Sequence, residues 1–201
     1  MVLIIVRNGK TPFNKRNILT SNYKNIDLDE DDIREVKNVC KVLKKYKFDY
    51  VFTSNSKINQ DTCSIIKKEL NQNFCIINSN KINERNFGFL EGKEKYEIEN
   101  VYGTETMKKW LYSYDGKPMN AESIKEVSKR VGNYFDENIL PLLKNNQNVL
   151  IISHSYSLKS LLIYLGLKDT NNLEDFCLNN YKPIKIDLKN KSFSYDKNSC
   201  N

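Results

Sequence analysis

The sequence predicts an α/β fold with a mostly parallel sheet and helices on both faces. Three observations predict it. Short, continuous β-branched runs recur along the chain, as expected of strands buried on both sides. Longer amphipathic stretches separate them, the alternation that builds parallel sheets. Two of the apolar runs stop at polar residues, Arg7-Asn8-Gly9 and Ser153-His154-Ser155. Open α/β sheets place their ligand sites at such C-terminal strand tips.

Each element follows from its own residues. "VLIIV", residues 2–6, is short and β-branched, hence a buried strand. "DEDDIREVKNVCKVLKKY" carries acidic residues first and lysines last, which complements a helix dipole. Its apolar stripe is Ile33, Val36, Val39, Cys40 and Leu43. "DYVFTS" is a second strand ending in hydroxyls, "QDTCSIIKKEL" a helix and "FCIIN" a third strand. "TETMKKWLYSY" reads as helical. "AESIKEVSKRVGNYFDENILPLLKN" reads as one long helix with Ile124, Val127, Val131, Phe135 and Ile139 on one face. "NVLIISHS" is another buried strand, and "LKSLLIYLG" a helix closed by Gly166. "PIKIDL" is an edge or final strand, since Pro183 at its start cannot donate to a ladder. Residues 189–201 are polar and are expected to form a frayed tail. No repeat or low-complexity linker divides the chain, so residues 1–201 are expected to be one domain.

Composition narrows the function. The chain has 201 residues, 39% hydrophobic and 28% charged, which fits a globular protein. The net charge is +7, but the lysines are scattered rather than gathered into a stripe. That distribution argues against nucleic acid and for attraction of small anions. The five cysteines form no C-x-x-C pair, and there is one histidine, so no metal site is expected. Unpaired cysteines, no signal peptide and no apolar run of membrane length predict a cytoplasmic protein with no membrane contact.

An arginine at a buried strand tip costs desolvation energy unless it meets a ligand or a carboxylate. Arg7 is therefore read as facing an anion, with an internal ion pair as the alternative. His154 is either a pocket group or a satisfied buried histidine. Glu84 beside Arg85 is either a working carboxyl or half of a local ion pair. Asn14, Thr20 and Lys95 are polar loop residues that could line the same pocket, or simply face solvent. Trp110 and Tyr114 read as packing residues.

Taken in order, these stretches resemble the cofactor-dependent phosphoglycerate mutases of the histidine phosphatase superfamily. The likeness is carried by Arg7, Gly9, Asn14, Asn17 and Thr20, by Thr53-Ser54, and by Asn83-Glu84-Arg85-Asn86-Phe87-Gly88. It continues through Lys95, Tyr102-Gly103, Trp110 to Asp115, Glu122-Ser123-Ile124, and His154 to Lys159. The resemblance implies a three-layer α/β sandwich, Glu84 as general acid, and Arg7, Asn14, Thr20, Arg85 and Lys95 as phosphate or substrate ligands. It also implies 2,3-bisphosphoglycerate as the family's cofactor, and dimers.

The departures matter as much. The family's nucleophilic histidine falls on Asn8, and an amide has no comparable nucleophilic nitrogen. Its phosphoryl-clamping arginine falls on Ile58, and its two substrate arginines fall on Leu111 and Tyr112. Phe87 lacks a hydroxyl the family has, and Ser155-Tyr156 replaces a glycine and an asparagine. The segment from Pro118 to Glu122 is short, which implies a more open pocket. The expectation is a catalytically degenerate relative that keeps an anion pocket around Arg7, Asn8, Asn14, Glu84 and His154, with a binding or regulatory role and no working cofactor. Its expected ligand is a small phosphorylated anion, and its expected assemblies are a homo-dimer or a hetero-dimer with an active homologue. The alternative is a weak phosphatase or mutase of small phosphorylated metabolites, with His154 or Glu84 activating water.

Overall fold

A computed structural model describes residues 1–9, 11–21 and 26–196. Among these, six strands form one sheet: β1 (Leu3–Arg7), β2 (Tyr50–Ser54), β3 (Cys75–Ser79), β4 (Val149–Ser153), β5 (Ile184–Asp187) and β6 (Ser192–Tyr195). Their order is β3-β2-β4-β1-β5-β6. The first four run parallel, while β5 is antiparallel to β1 and β6 to β5.

Alternation along the strands assigns side chains to the two faces. Leu3, Ile5, Phe52, Val149 and Ile151 face one way. They pack against α6 (Ile124–Tyr134), the turn after it, α7 (Leu140–Lys144) and α8 (Ser155–Tyr164). Ile4, Val6, Val51, Leu150 and Ile152 face the other way, against α2 (Glu30–Leu43) and α3 (Lys57–Leu70). The helix dipole reading of α2 holds: Glu30, Asp31 and Asp32 fill its first turn, and Asp29 caps it by accepting from the Asp32 N–H. A smaller cluster of Leu19, Phe87, Leu90, Ile98, Met107 and Leu111 carries α4 (Lys95–Tyr102) and α5 (Thr104–Tyr112) at one end.

Three expectations change. The stretch 121–145 is not one helix: a π turn at Phe135–Ile139 interrupts it, with the Leu140 N–H reaching the Phe135 carbonyl. Pro141 has no N–H to continue an α ladder through this point. β5 is internal rather than an edge, because β6 pairs beyond it. The tail is therefore ordered at Ser192–Tyr195, where Phe193 packs on Phe176. Residues 197–201, the remainder of the expected tail, lie outside the described residues, as does Cys200. Among the described residues no helix is long and apolar enough to cross a membrane.

Candidate functional site

The parallel pairing of β1 with β4 puts Arg7 opposite Ser153, so both polar tips emerge side by side. The Asn8 N–H donates to the Ser153 carbonyl at 3.0 Å, and Asn180 Nδ2 donates to the Asn8 carbonyl at 2.5 Å. Gly9 follows because there is no space for anything larger: a Cβ there would collide with Tyr181 Oη and Asp32 Oδ1.

A cleft of about 210 Å³ opens beside these tips. Arg7, Asn14, Thr20, Glu84 and Lys95 all line it, joined by Tyr112, Tyr156 and Lys159. The loop residues arrive through backbone pairing. Thr11 and Asn14 cap α1 (Pro12–Lys15) reciprocally. Leu19 N–H then bonds the Lys93 carbonyl, and Lys95 N–H the Asn17 carbonyl, which brings Thr20 and Lys95 to one wall.

Glu84 sits at the N-terminus of α8. Its carboxylate accepts from the Tyr156 N–H at 3.0 Å and the Ser157 N–H at 3.2 Å, as well as from its neighbour Arg85 N–H at 3.0 Å. Burial nonetheless raises its pKa, against the lowering influence of these N–H groups and of Arg7. Glu84 is thus a carboxyl in the cleft wall whose proton is held more firmly than usual. Arg7 donates Nη1 to the Leu178 carbonyl at 2.5 Å, which aims the guanidinium along the cleft.

Two expected members are placed elsewhere. Asn8 and His154 are only 3% and 1% exposed, and neither lines the cleft. The Asn8 amide donates to the Gly9 carbonyl. His154 Nε2 lies 3.1 Å from Ser54 Oγ and 3.2 Å from Asn59 Nδ2, while Asn59 also donates to Ser54 Oγ at 2.7 Å. Nε2 accepts from the amide as placed, or donates to the amide oxygen when the Asn59 group is turned over, the tautomer following the amide. Burial, with Arg7 adding to it, pushes the His154 pKa down to about 3, so the ring is neutral. Asn59 stands next to Ile58, which is wholly buried. An amide thus reaches the histidine where the resemblance would place a guanidinium nearby.

Arg85 is also placed outside the cleft. It is fully buried, and its donors go to main-chain carbonyls: Nε to Glu122 at 2.6 Å, Nη1 to Leu111 at 3.2 Å, and Nη2 to Trp110 at 2.7 Å and Gly116 at 3.3 Å. Its planar fork gathers main-chain carbonyls from the segment around α5. Glu122 grips Arg130 bidentately at 2.7 and 2.8 Å. Trp110 packs between Phe89 and Tyr102. These motif residues build the scaffold. Sequence reasoning missed Asn59 and Lys159. A polar residue directly after Ile58, and a lysine five residues after His154 in an apolar helix, were the available signals.

The buried neutral histidine has a pH consequence. Its folded pKa lies below the unfolded value, so between about pH 3 and 6.5 the unfolded chain binds the extra proton. Stability from this group is complete above the unfolded pKa and falls as the pH drops. Between pH 7 and pH 4.5 the loss is about 2.5 kcal/mol. His154→Gln, which keeps an acceptor but cannot titrate, is expected to flatten urea stability against pH by that amount. Identical slopes would assign the acid sensitivity to other groups.

Comparison with known proteins agrees with this architecture. A sequence model described as "Histidine phosphatase superfamily (branch 1)" matches residues 3–200. A 2,3-bisphosphoglycerate-dependent phosphoglycerate mutase of Cytophaga hutchinsonii is 36% identical over 164 residues, covering 82% of this chain and 76% of the relative. A phosphoglycerate mutase of Schizosaccharomyces pombe is 38% identical over 167 residues, covering 82% and 79%. The crystal structure of phosphoglycerate mutase from Bacillus anthracis superposes with a TM-score of 0.74 at 20% identity, covering 97% of this chain and 91% of the other.

Proposed function

The chain belongs to branch 1 of the histidine phosphatase superfamily, and from that premise we propose that it has lost phosphoryl transfer and works as an anion-binding protein with a binding or regulatory role. The observation that carries this reading is the separation of charge from chemistry. Arg7 and Lys95 line the cleft, whereas Asn8 and His154, at the positions where the resemblance puts the family's histidines, are buried and bonded within the protein. What lines the cleft can hold a negative group but offers no imidazole to attack it.

The reading is tested with inorganic phosphate and sulfate. Charge-assisted hydrogen bonds contribute about 1.5–3 kcal/mol each, which places affinity in the millimolar range for a site lacking a second arginine. Both anions are expected to raise the melting temperature by mass action. Arg7→Ala is expected to abolish the rise. A rise that survives this substitution would place the anion elsewhere on the basic surface.

One observation favours the phosphatase alternative. Glu84 lines the cleft with its pKa raised by burial, a shift that makes a carboxyl better able to hand a proton to a leaving group. Slow release of phosphate from a small ester by the unmodified protein, lost in Glu84→Gln, would select this alternative.

A further inference from the structure

The segment that leads into β5 holds the tip of β1 at four points. The Leu178 carbonyl accepts from Arg7 Nη1 at 2.5 Å. Asn180 Nδ2 donates to the Asn8 carbonyl at 2.5 Å, and the Tyr181 N–H donates to the Arg7 carbonyl at 3.0 Å. The Tyr181 hydroxyl closes over Gly9, where a Cβ would stand 2.1 Å from Oη. Leu178, Asn180 and Tyr181 nevertheless lie outside the lining of the cleft.

This grip needs an unusual backbone. β5 runs antiparallel to β1 with Ile184 opposite Ile5, a register that would set Lys182 opposite Arg7 if it continued. Instead Asn180 pairs with Arg7, and in the parallel sense. The chain therefore reverses between Asn180 and Ile184. Pro183 has no N–H with which to carry the ladder on. Tyr181 makes the turn at a φ of +53°, a conformation that costs a bulky residue energy. Its ring is buried with Ile4, Val6 and Val36 on the α2 and α3 side of the sheet, which repays the strain.

We propose that Asn180 and Tyr181 are positioning residues of the anion cleft: they fix the height and aim of Arg7 at the strand tip and so set the affinity of the cleft without touching its ligand. The inference rests on the anion-binding reading above. A loose strand tip would have to be ordered by the ligand, at a cost in affinity, whereas a tip fastened beforehand is not.

The test measures sulfate dissociation constants by calorimetry, and melting temperatures without sulfate, for the unmodified protein, Arg7→Ala, Asn180→Ala, Tyr181→Gly and Tyr181→Val. Asn180→Ala removes one donor to the strand tip and is expected to weaken sulfate about three- to tenfold. Both Tyr181 variants lose the ring and are expected to melt earlier. They differ in backbone: glycine adopts a positive φ freely and keeps its N–H on Arg7, whereas a β-branched residue resists that conformation. Tyr181→Gly is therefore expected to bind sulfate about fivefold or more tightly than Tyr181→Val. Packing alone would favour the larger valine. Tyr181→Ala replaces the valine variant if that one fails to fold. Lower melting temperatures with unchanged sulfate binding in Asn180→Ala and Tyr181→Val, beside a loss in Arg7→Ala, would overturn the positioning role and leave the cleft standing. Sulfate binding that is indifferent to Arg7→Ala, or absent from the unmodified protein, would remove the anion-binding reading and this inference with it.

Discussion

Incubated with 2,3-bisphosphoglycerate, the protein is expected to carry no acid-labile phosphate by intact mass spectrometry, and Asn8→His alone is expected not to restore efficient turnover. Loss of a covalent nucleophile costs roughly 10⁶-fold in a comparable hydrolase. The missing donor at Ile58 costs about 10²–10³-fold in similar settings, with the two losses not additive. Ile58 is fully buried, and His154 is already committed to Ser54 and Asn59. A new imidazole at position 8 would thus gain a nucleophilic nitrogen beside Arg7, without the second guanidinium that the resemblance puts at position 58. Asn8→His with Ile58→Arg is expected to release phosphate measurably. It is expected to convert little 3- to 2-phosphoglycerate, because Leu111 is a core residue and Tyr112 brings a hydroxyl rather than a charge. Water would intercept the phosphoenzyme before the intermediate reorients. Full mutase activity in the single variant would show that the site is less decayed than its side chains imply, and phosphoenzyme on the unmodified chain would overturn the reading.

The second large effect is on stability. Arg85→Met is expected to cost about 3–5 kcal/mol, because buried carbonyls are left without donors at about 1–3 kcal/mol each. Part of that loss is returned, since the guanidinium is itself desolvated and its pKa is lowered by burial. Arg85→Lys is expected to rescue little, because one ammonium cannot span carbonyls as far apart in sequence as Trp110, Gly116 and Glu122. The urea midpoint should fall by more than about 1 M given an ordinary slope for this size. A midpoint that hardly moves would mean that water replaces the arginine at low cost.

The centre of the parallel sheet was legible because β1 and β4 are buried on both faces and are apolar and rich in β-branched residues: "LIIV" and "VLII" allow little else. β6 was missed because Ser-Phe-Ser-Tyr lies at the sheet's edge, where only alternate side chains bury and the signal is weak. α4 was missed because Ile98 is its one buried residue. In the site, Arg7, Asn14, Thr20, Glu84 and Lys95 were readable from the strand tip and the resemblance, and all reach one cleft. Depth was not readable. Nothing in the order of residues says that Asn8 and His154 are buried outside the cleft lining, or that Arg85 turns to backbone carbonyls. Those outcomes depend on side-chain packing between segments far apart in sequence.

The main chain at Asn8 is fastened by Ser153 and Asn180, neither of which touches the asparagine side chain in doing so. Inheritance therefore sees this position differently from its neighbours. Asparagine and histidine codons differ at the first base alone, and the bonds that fasten this backbone use no atom of the side chain. Gly9 has no such latitude, since every other residue brings a Cβ into Tyr181 and Asp32. Leu111 is equally fixed, for a charge there would have to enter an apolar cluster. Position 8 is thus open to exchange through a single base, while positions 9 and 111 are closed by packing.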